Sequence, residues 1–316
     1  MNTVVRCTDI TRIFEEKGVE PVHAVSGLNL EIHRGEIFAL VGPDGAGKTT
    51  TLRMLCGVLR PTLGSIEIMG LDMATHRDEI KHHIGYLSQR FSLYPDLTVD
   101  ENIDFFAEIH RIWSFKARKE ELLAFTRLTP FRTRLAEQLS GGMKQKLALA
   151  CTLIHTPDVI FLDEPTTGVD PVSRRDFWKI LSDVLKQGIT VVMTTPYLDE
   201  AERSTRVALL NRGEMMTCDS PAEIKKRFTQ SVVELQCEDP RGVATRLRQI
   251  AGLQSVQLFG DRLHIVLGEG MTSRELARSL KAVGLDARSM RPISASLEDV
   301  FISQSQDRRF RNSAAK

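Results

Sequence analysis

A glycine-rich turn between an apolar run and a helix-forming segment constrains this chain more than any other feature. The turn reads GPDGAGKT from Gly42 to Thr49, and it follows the apolar run 37–41. It fills every fixed position of the phosphate-binding pattern G-x-x-x-x-G-K-[ST]. In such a loop, successive backbone N–H groups converge on one anion and the helix N-terminus adds its partial positive charge. The pattern therefore predicts a strand, a phosphate loop and a helix that bind a nucleoside triphosphate.

Individual residues of this loop have predicted roles. We expect the cation of Lys48 to contact the terminal phosphates and the hydroxyl of Thr49 to bind Mg²⁺. The alternative is a glycine-rich turn that ends in Lys-Thr by chance, and the flanking strand and helix argue against it. The residues predicted to contact the nucleotide are Gly42, Pro43, Asp44, Gly45, Ala46, Gly47, Lys48, Thr49 and Thr50.

Two carboxylates, Asp163 and Glu164, directly follow the apolar run 159–162. A continuous apolar run is typical of a strand buried in a parallel sheet, and ligands bind at the carboxyl ends of such strands. We expect Asp163 to hold Mg²⁺, directly or through water, and Glu164 to accept a proton from an attacking water. A solvated acidic pair is the alternative, which the phosphate loop in the same chain makes the weaker interpretation.

Three further segments end in residues suited to a nucleotide site. Gln89 ends an apolar run, as expected of a buried strand that emerges at a site. Ser140, Gly141 and Gly142 precede a long helix, where they form either a second anion site or a simple helix cap. Phe14 ends the first predicted strand, where an aromatic ring is suited equally to stacking on adenine and to core packing.

Length and composition limit the remaining classes. The 316 residues suffice for a large domain and a small one, and the net charge of +1 does not favour a non-specific polyanion binder. The five cysteines form no C-x-x-C pair, which argues against zinc and disulfide frameworks. The N-terminus lacks the signal-peptide pattern, and no apolar run approaches the ~20 residues of a spanning helix. We expect any membrane attachment to depend on another protein.

The pattern changes near residue 231. From there the chain predicts strand, helix, strand, strand, helix and strand, followed by a short helix over 297–302, which indicates a small α+β unit without a chemical constellation. We therefore expect an ATP-binding domain over 1–228, a small α+β domain over 229–304 and a flexible tail over 305–316.

Taken together and in order, these motifs resemble those of the ATP-binding subunits of ABC transporters over residues 1–225. The phosphate loop matches Walker A, Gln89 the Q-loop, 139–145 the signature, 159–163 Walker B and 167–170 the D-loop. Other segments resemble the drug-resistance exporter branch, which also carries a small C-terminal domain. They are Gly168 to Pro171, Tyr197 to Glu202 and Ser296 to Phe301.

The resemblance implies an α/β P-loop NTPase fold with a mainly parallel core sheet, an antiparallel β subdomain and a helical subdomain inserted at about 90–155. It further implies that two such domains meet head to tail around ATP and Mg²⁺. Ser140 and Gly142 then reach the γ-phosphate across the dimer, with Gly141 and Asp170 also at the nucleotide. Gln89 contacts Mg²⁺ and water and takes part in catalysis with Glu164, while Phe14 stacks on adenine.

The implied partners are membrane permease subunits and a second ATP-binding domain, in the same or a different chain. The implied location is peripheral, on the cytoplasmic side of the inner (plasma) membrane, and no nucleic acid is involved. ATP binding closes the dimer and hydrolysis opens it, which drives export through the permease.

One position departs from the family pattern. Pro196 stands between Thr195 and Tyr197, where the family has a switch histidine. Proline offers neither a side-chain donor nor a backbone N–H. The departure implies normal ATP binding with weakened hydrolysis, because loss of such an electrostatic partner costs ~10²- to 10³-fold in rate.

Three functions stay open at this point. The first is the ATPase subunit of an exporter. The second is a regulatory subunit that binds ATP and leaves turnover to a partner, which Pro196 favours and Glu164 opposes. The third is a soluble ABC protein acting on ribosomes or DNA, which the single P-loop and the lack of heptads and of basic bias oppose.

Overall fold

The computed structural model describes residues 2–89, 93–282 and 290–314, which fold as two compact units. The first unit is Met1–Cys218 and the second is Asp219–Lys316. The division falls ten residues before the predicted boundary at 228, because helix α8 (Pro221–Lys226) packs against α11 (Leu297–Ala314) of the second unit.

The first unit is built on a six-stranded sheet whose central strands are parallel. The strand order is β10-β9-β3-β8-β7-β6, and every pairing from β9 to β6 is parallel. All residues of β3, β7 and β8 are buried, as their continuous apolar runs predict. The strands are β3 (Ile37–Val41), β6 (Ile84–Leu87), β7 (Val159–Asp163), β8 (Thr190–Thr195), β9 (Arg206–Asn211) and β10 (Glu214–Asp219).

A second, antiparallel sheet covers the other side of the same core. Its order is β2-β1-β4-β5, and β1 ends at Phe14 as predicted. Inward side chains such as Ile10 and Leu28 join one apolar cluster with Phe38 and Leu52. The strands are β1 (Thr3–Phe14), β2 (Val22–His33), β4 (Leu63–Ile68) and β5 (Leu71–Asp72).

In the first unit, a local sequence signal marks the start of helix α3 (Val99–Ile109). Thr98 forms a capping box with Glu101 at the start of α3, as expected from the sequence. The fourth helix ends before the predicted Leu128, because Arg127 adopts a left-handed φ of 60°. The helices are α1 (Lys48–Leu55), α2 (Arg77–His83), α3 (Val99–Ile109), α4 (Lys116–Thr126), α5 (Gly141–Leu153), α6 (Pro171–Lys186) and α7 (Leu198–Ala201).

The second unit is a four-stranded antiparallel sheet with its own apolar core. The order is β12-β13-β11-β14, which agrees with the predicted α+β unit. Most of the predicted strand 287–291 lies outside the described residues. The elements are β11 (Val232–Gln236), α9 (Pro240–Leu247), β12 (Leu253–Phe259), β13 (Arg262–Leu267), α10 (Ser273–Ala282) and β14 (Met290–Ile293).

Helix α11 corrects one prediction. It continues to Ala314, past the predicted end at Ile302, because no proline or glycine interrupts the chain between these residues. The mobility predicted for 305–316 stays a prediction.

Disulfide bonds and membrane-spanning helices play no part in the described structure. None of the five cysteines, all of which lie in the described part of the chain, forms a disulfide; Cys7, Cys56 and Cys151 are buried, and Cys218 and Cys237 are partly exposed. Within the described parts of the chain, the helices include none with the length and apolar character needed to cross a bilayer.

Candidate nucleotide-binding site

The loop between β3 and α1 adopts a conformation that requires glycine at three positions. Gly45 and Gly47 have φ values of 77° and 95°, in the left-handed region. A Cβ at Gly42 would lie 2.2 Å from the carbonyl oxygen of Leu210, and one at Gly47 would lie 2.4 Å from that of Ala24. The loop can therefore close tightly at the carboxyl edge of the sheet.

Lys48 provides a buried cation at this loop. Its Nζ donates to the carbonyl oxygens of Gly42 at 2.8 Å and Pro43 at 3.1 Å, and the side chain is 4% exposed. The same Nζ lies 3.4 Å from Oε1 of Glu164. The predicted phosphate ligand and the predicted general base thus meet at one point.

Asp163 ends β7 inside the protein and accepts two hydroxyl hydrogen bonds on one oxygen. Thr49 and Thr194 each donate to Oδ1 at 2.8 Å. The side chain is fully buried, and Oδ2 has no hydrogen-bonding partner among the described residues. A hydroxyl beside a carboxylate with a free oxygen suits Mg²⁺, which prefers oxygen ligands. Thr49 and Asp163 therefore fit the predicted metal site.

Glu164 is held in an uncommon backbone conformation. Its φ of 48° is left-handed, a conformation that costs about 1–3 kcal/mol for a residue other than glycine. Such a conformation persists only where the surrounding structure holds it. Its N–H donates to Oγ1 of Thr194 at 2.8 Å. Its Oε2 accepts from Nε2 of Gln89 at 3.0 Å and from Oγ1 of Thr167 at 3.3 Å. The amide of Gln89 thus contacts the predicted base.

The signature segment lies beside the D-loop of its own chain. Ser140 caps α5 by accepting from the Met143 N–H at 3.3 Å. A Cβ at Gly142 would lie 2.5 Å from Cβ of Ser173, so only glycine fits there without a shift. Asp170 caps α6, and the hydrogen bonds it accepts from Ser173 and then Val172 lower its pKa. The contacts of this group with a partner's nucleotide stay a prediction.

Phe14 is 42% exposed at the end of β1, which excludes the core-packing interpretation. The guanidinium of Arg12 lies 4.7 Å from the centre of its ring. Stacking of the ring on adenine stays a prediction.

The turn after β8 offers no donor at residue 196. The N–H of Tyr197 donates back to Oγ1 of Thr195 at 3.0 Å. The Tyr197 ring faces the guanidinium of Arg174, whose central carbon lies 4.7 Å from the ring centre. Tyr197 is therefore engaged by a cation on α6, as expected of a side chain that does not replace the histidine.

Sequence reasoning missed a buried glutamate behind the site and the partly exposed arginine that it faces. Glu200 is 2% exposed, and its Oε1 lies 3.1 Å from Nε of Arg174. Burial raises the pKa of Glu200. The sequence gives no signal for this burial, because Glu200 stands in the acidic segment 199–202 next to the exposed Asp199.

A phosphate loop at the carboxyl edge of a parallel sheet, with a helical subdomain that carries its own glycine turn, is the architecture of an ATP-binding cassette, a class of P-loop ATPase domain. The ABC transporter family model matches residues 25–167, and the model of the DrrA1-3-like ATP-binding protein C-terminal domain matches 220–305. With the relatives below, these matches show that the chain belongs to the ATP-binding proteins of ABC transporters.

The relatives include a protein named for multidrug transport and one named for drug resistance. A probable multidrug ABC transporter ATP-binding protein of Escherichia coli K12, YbhF, is 39% identical over 284 residues, 88% of this chain and 48% of YbhF. The chain thus spans about half the length of that relative. The daunorubicin/doxorubicin resistance ATP-binding protein DrrA of Streptomyces peucetius is 34% identical over 309 residues, 93% of each chain.

Solved ATP-binding cassettes share the fold of the first unit. A dimeric cassette, MJ0796, in a post-hydrolysis state with ADP and phosphate bound, is 28% identical and superposes with a TM-score of 0.63. The match covers 68% of this chain and 98% of that one. The predicted α/β P-loop fold is therefore confirmed.

Proposed function

We propose that this chain binds and hydrolyses ATP to power export of a substrate through separate membrane permease subunits. The observation that carries the proposal is the contact of the phosphate loop with the two carboxylates at the end of β7. Thr49 of the phosphate loop bonds Asp163 at 2.8 Å, and Glu164 lies 3.4 Å from Lys48. The relatives named for multidrug transport and for drug resistance support export as the process that the ATPase serves.

The chemistry follows from the positions of these side chains. Lys48 places its charge where the terminal phosphates bind, and Glu164 accepts the proton of the attacking water. Gln89 orients the carboxylate of Glu164 through the bond at 3.0 Å. Thr49 and Asp163 hold Mg²⁺, which when bound neutralises charge on the phosphates.

The same proposal includes a head-to-tail dimer. Ser140 and Gly142 of one domain reach the γ-phosphate bound by the partner domain, and Phe14 stacks on adenine. The dimeric state of the MJ0796 cassette supports this arrangement. Nucleotide closes the dimer and hydrolysis releases it, on the cytoplasmic side of a permease in the inner membrane, without nucleic acid.

Pro196 favours a second candidate function. With no N–H and no side-chain donor at 196, and with Tyr197 turned to Arg174, nothing at this turn donates to a γ-phosphate. The chain would then bind ATP, complete a partner's site with its signature segment and leave turnover to that partner.

Steady-state ATPase activity and ATP affinity of the purified chain separate these candidates. We expect Glu164→Gln to lower kcat by about 10²- to 10⁴-fold, because it removes the general base, without weakening ATP binding. Glu108→Gln makes the same exchange at an exposed residue of α3 and serves as the matched control.

The three possible outcomes of these measurements distinguish the two candidate functions. Turnover that depends on Glu164 supports the first candidate. Tight ATP binding with almost no wild-type turnover supports the second. Failure to bind ATP rejects both.

A further inference from the structure

Behind the nucleotide site, the carboxylate of Glu200 joins three separate segments. Its Oε2 accepts from Oγ1 of Thr166 at 2.7 Å and from Oγ1 of Thr195 at 3.3 Å. Its Oε1 lies 3.1 Å from Nε of Arg174. Thr166 follows Walker B by three residues, Thr195 ends β8, and Arg174 lies in the first turn of α6. One buried side chain therefore contacts all three segments.

Arg174 extends this connection on both sides. Its guanidinium faces the ring of Tyr197 at 4.7 Å, and one of its terminal nitrogens donates to the carbonyl oxygen of Val169 at 3.4 Å. Val169 belongs to the D-loop, and Tyr197 follows Pro196. Arg174 thus contacts both the D-loop and the turn that carries the proline.

Two features of the site, the backbone of Glu164 and the turn at Pro196, depend on contacts from neighbouring segments. Glu164 has a left-handed φ of 48°, a conformation that persists only where the surroundings fix it. Adjacent threonines of β8 hold the segment: Thr194 accepts from the Glu164 N–H, and Thr195 bonds Glu200, which also bonds Thr166. Pro196 has no N–H to donate. Its turn therefore depends on the hydrogen bond from the Tyr197 N–H to the Thr195 hydroxyl.

We propose that Glu200 and Arg174 are positioning residues for hydrolysis, which hold the segment 164–169 against the turn 195–197 and so fix the carboxylate of Glu164. Neither residue is placed among the groups that contact the nucleotide. The proposal rests on the proposed ATPase function.

The first test compares kinetic parameters of the full-length chain. Glu200→Gln keeps the shape of the side chain and removes its charge. We expect it to lower kcat about tenfold while the ATP affinity and KM stay within twofold of wild type. Asp199→Asn removes an exposed carboxylate one residue away and is expected to leave kcat within twofold. Equal kcat in Glu200→Gln and Asp199→Asn overturns the proposal, as does an equal loss in kcat and ATP affinity.

Hydrogen exchange without nucleotide gives a readout that does not need turnover. The amides of Thr167, Val169 and Tyr197 donate within the two segments, and that of Glu164 donates to Thr194, next to the second segment. We expect Glu200→Gln to speed their exchange at least tenfold, with exchange in β3 unchanged. Unchanged exchange at these amides overturns the proposal whether or not the chain hydrolyses ATP.

Arg174→Met combined with Glu200→Gln separates positioning from the cost of an unpaired charge. If the pair acts as a unit, the double variant has the same kcat as Glu200→Gln alone, because the connection is already broken. Recovery of wild-type kcat in the double variant overturns the proposal, since the single loss then reflects only an uncompensated cation. A wild-type chain that binds ATP without turnover rejects the proposed hydrolysis, and the exchange result alone then decides the role of the pair.

Discussion

Lys48 is held by two carbonyl oxygens of its own loop and by Glu164 at 3.4 Å. In the proposed function, a phosphate that entered the loop would compete with Glu164 for this cation, which would couple nucleotide binding to release of the Glu164 carboxylate. Position 196 carries a proposed loss of one phosphate donor, because proline supplies no hydrogen to a phosphate.

Restoring histidine at residue 196 tests that loss. We expect Pro196→His to raise kcat about 10²-fold, because an imidazole donor directed at the γ-phosphate stabilises charge in the transition state. Pro196→Ala returns only the backbone N–H and is the control for relief of the proline ring. A gain in kcat equal in both variants, measured by phosphate release, would assign the effect to the backbone instead.

The structure brings together the predicted site residues that belong to local sequence patterns. The Walker A loop, Asp163 and Glu164 lie together because parallel strands end at one edge of the sheet. The sequence did not predict the contact between Glu200 and Arg174. The two residues are 26 positions apart and meet only through tertiary packing, and both lie in segments with the pattern of exposed charged helices.

Among the helices, α3 shows how a local signal sets a boundary. Thr98 and Glu101 exchange hydrogen bonds at its N-terminus, in the capping box that the sequence predicts. The end of α11 was predicted less well, because a polar segment without proline or glycine contains no stop signal.

Removing this cap should destabilise the helical subdomain. We expect Thr98→Ala to lower the free energy of unfolding by about 1 kcal/mol, since the N–H of Glu101 loses its acceptor. Glu101→Gln keeps an acceptor for the Thr98 N–H and should cost less than half as much. Urea denaturation curves give both values, and equal losses would contradict the role of the Thr98 hydroxyl.

The junction between α3, α5 and β6 contains two stacked imidazoles. The rings of His110 and His155 lie 4.0 Å apart, and Nε2 of His155 lies 2.8 Å from the carbonyl oxygen of Ile84. Burial and then the neighbouring His110 lower the pKa of His155 from 6.5 to about 4. The pKa of His110 is also lowered, mainly by burial.

This junction predicts a loss of stability in acid. The unfolded chain takes up a proton on His155 below pH 6.5, while the folded chain does so only near pH 4. The free energy of unfolding should therefore fall between these pH values, by up to about 3 kcal/mol. His155→Gln keeps a side-chain N–H donor for the carbonyl oxygen of Ile84 and should remove this part of the pH dependence. An identical slope in wild type and variant, from denaturation at several pH values, would contradict it.

On the scale of the whole molecule, each unit has its own apolar core. Its pattern of alternating and continuous apolar runs made the class of both units predictable. Their boundary was less predictable, because α8 follows the last strand of the first unit without a linker and packs with α11.

Both tryptophans, Trp113 and Trp178, belong to the first unit, so their fluorescence reports the unfolding of that unit alone. We expect Mg²⁺ and ATP at 100 times the dissociation constant to stabilise it by about 2.7 kcal/mol, because ligand binds only the folded state. Asp163→Ala, which removes the predicted metal ligand, should reduce the gain. An equal gain with and without Mg²⁺ would contradict a metal-assisted site.

The burial of the cysteines has a practical consequence for spectroscopy. Cys7, Cys56 and Cys151 are buried, and burial raises the pKa of each thiol, so their thiolates are scarce at neutral pH. A cysteine introduced at Val172, which is 67% exposed beside the D-loop, would react with a maleimide far faster than these three. A spin label there would report whether two copies of the chain approach each other on ATP binding, as the proposed dimer requires.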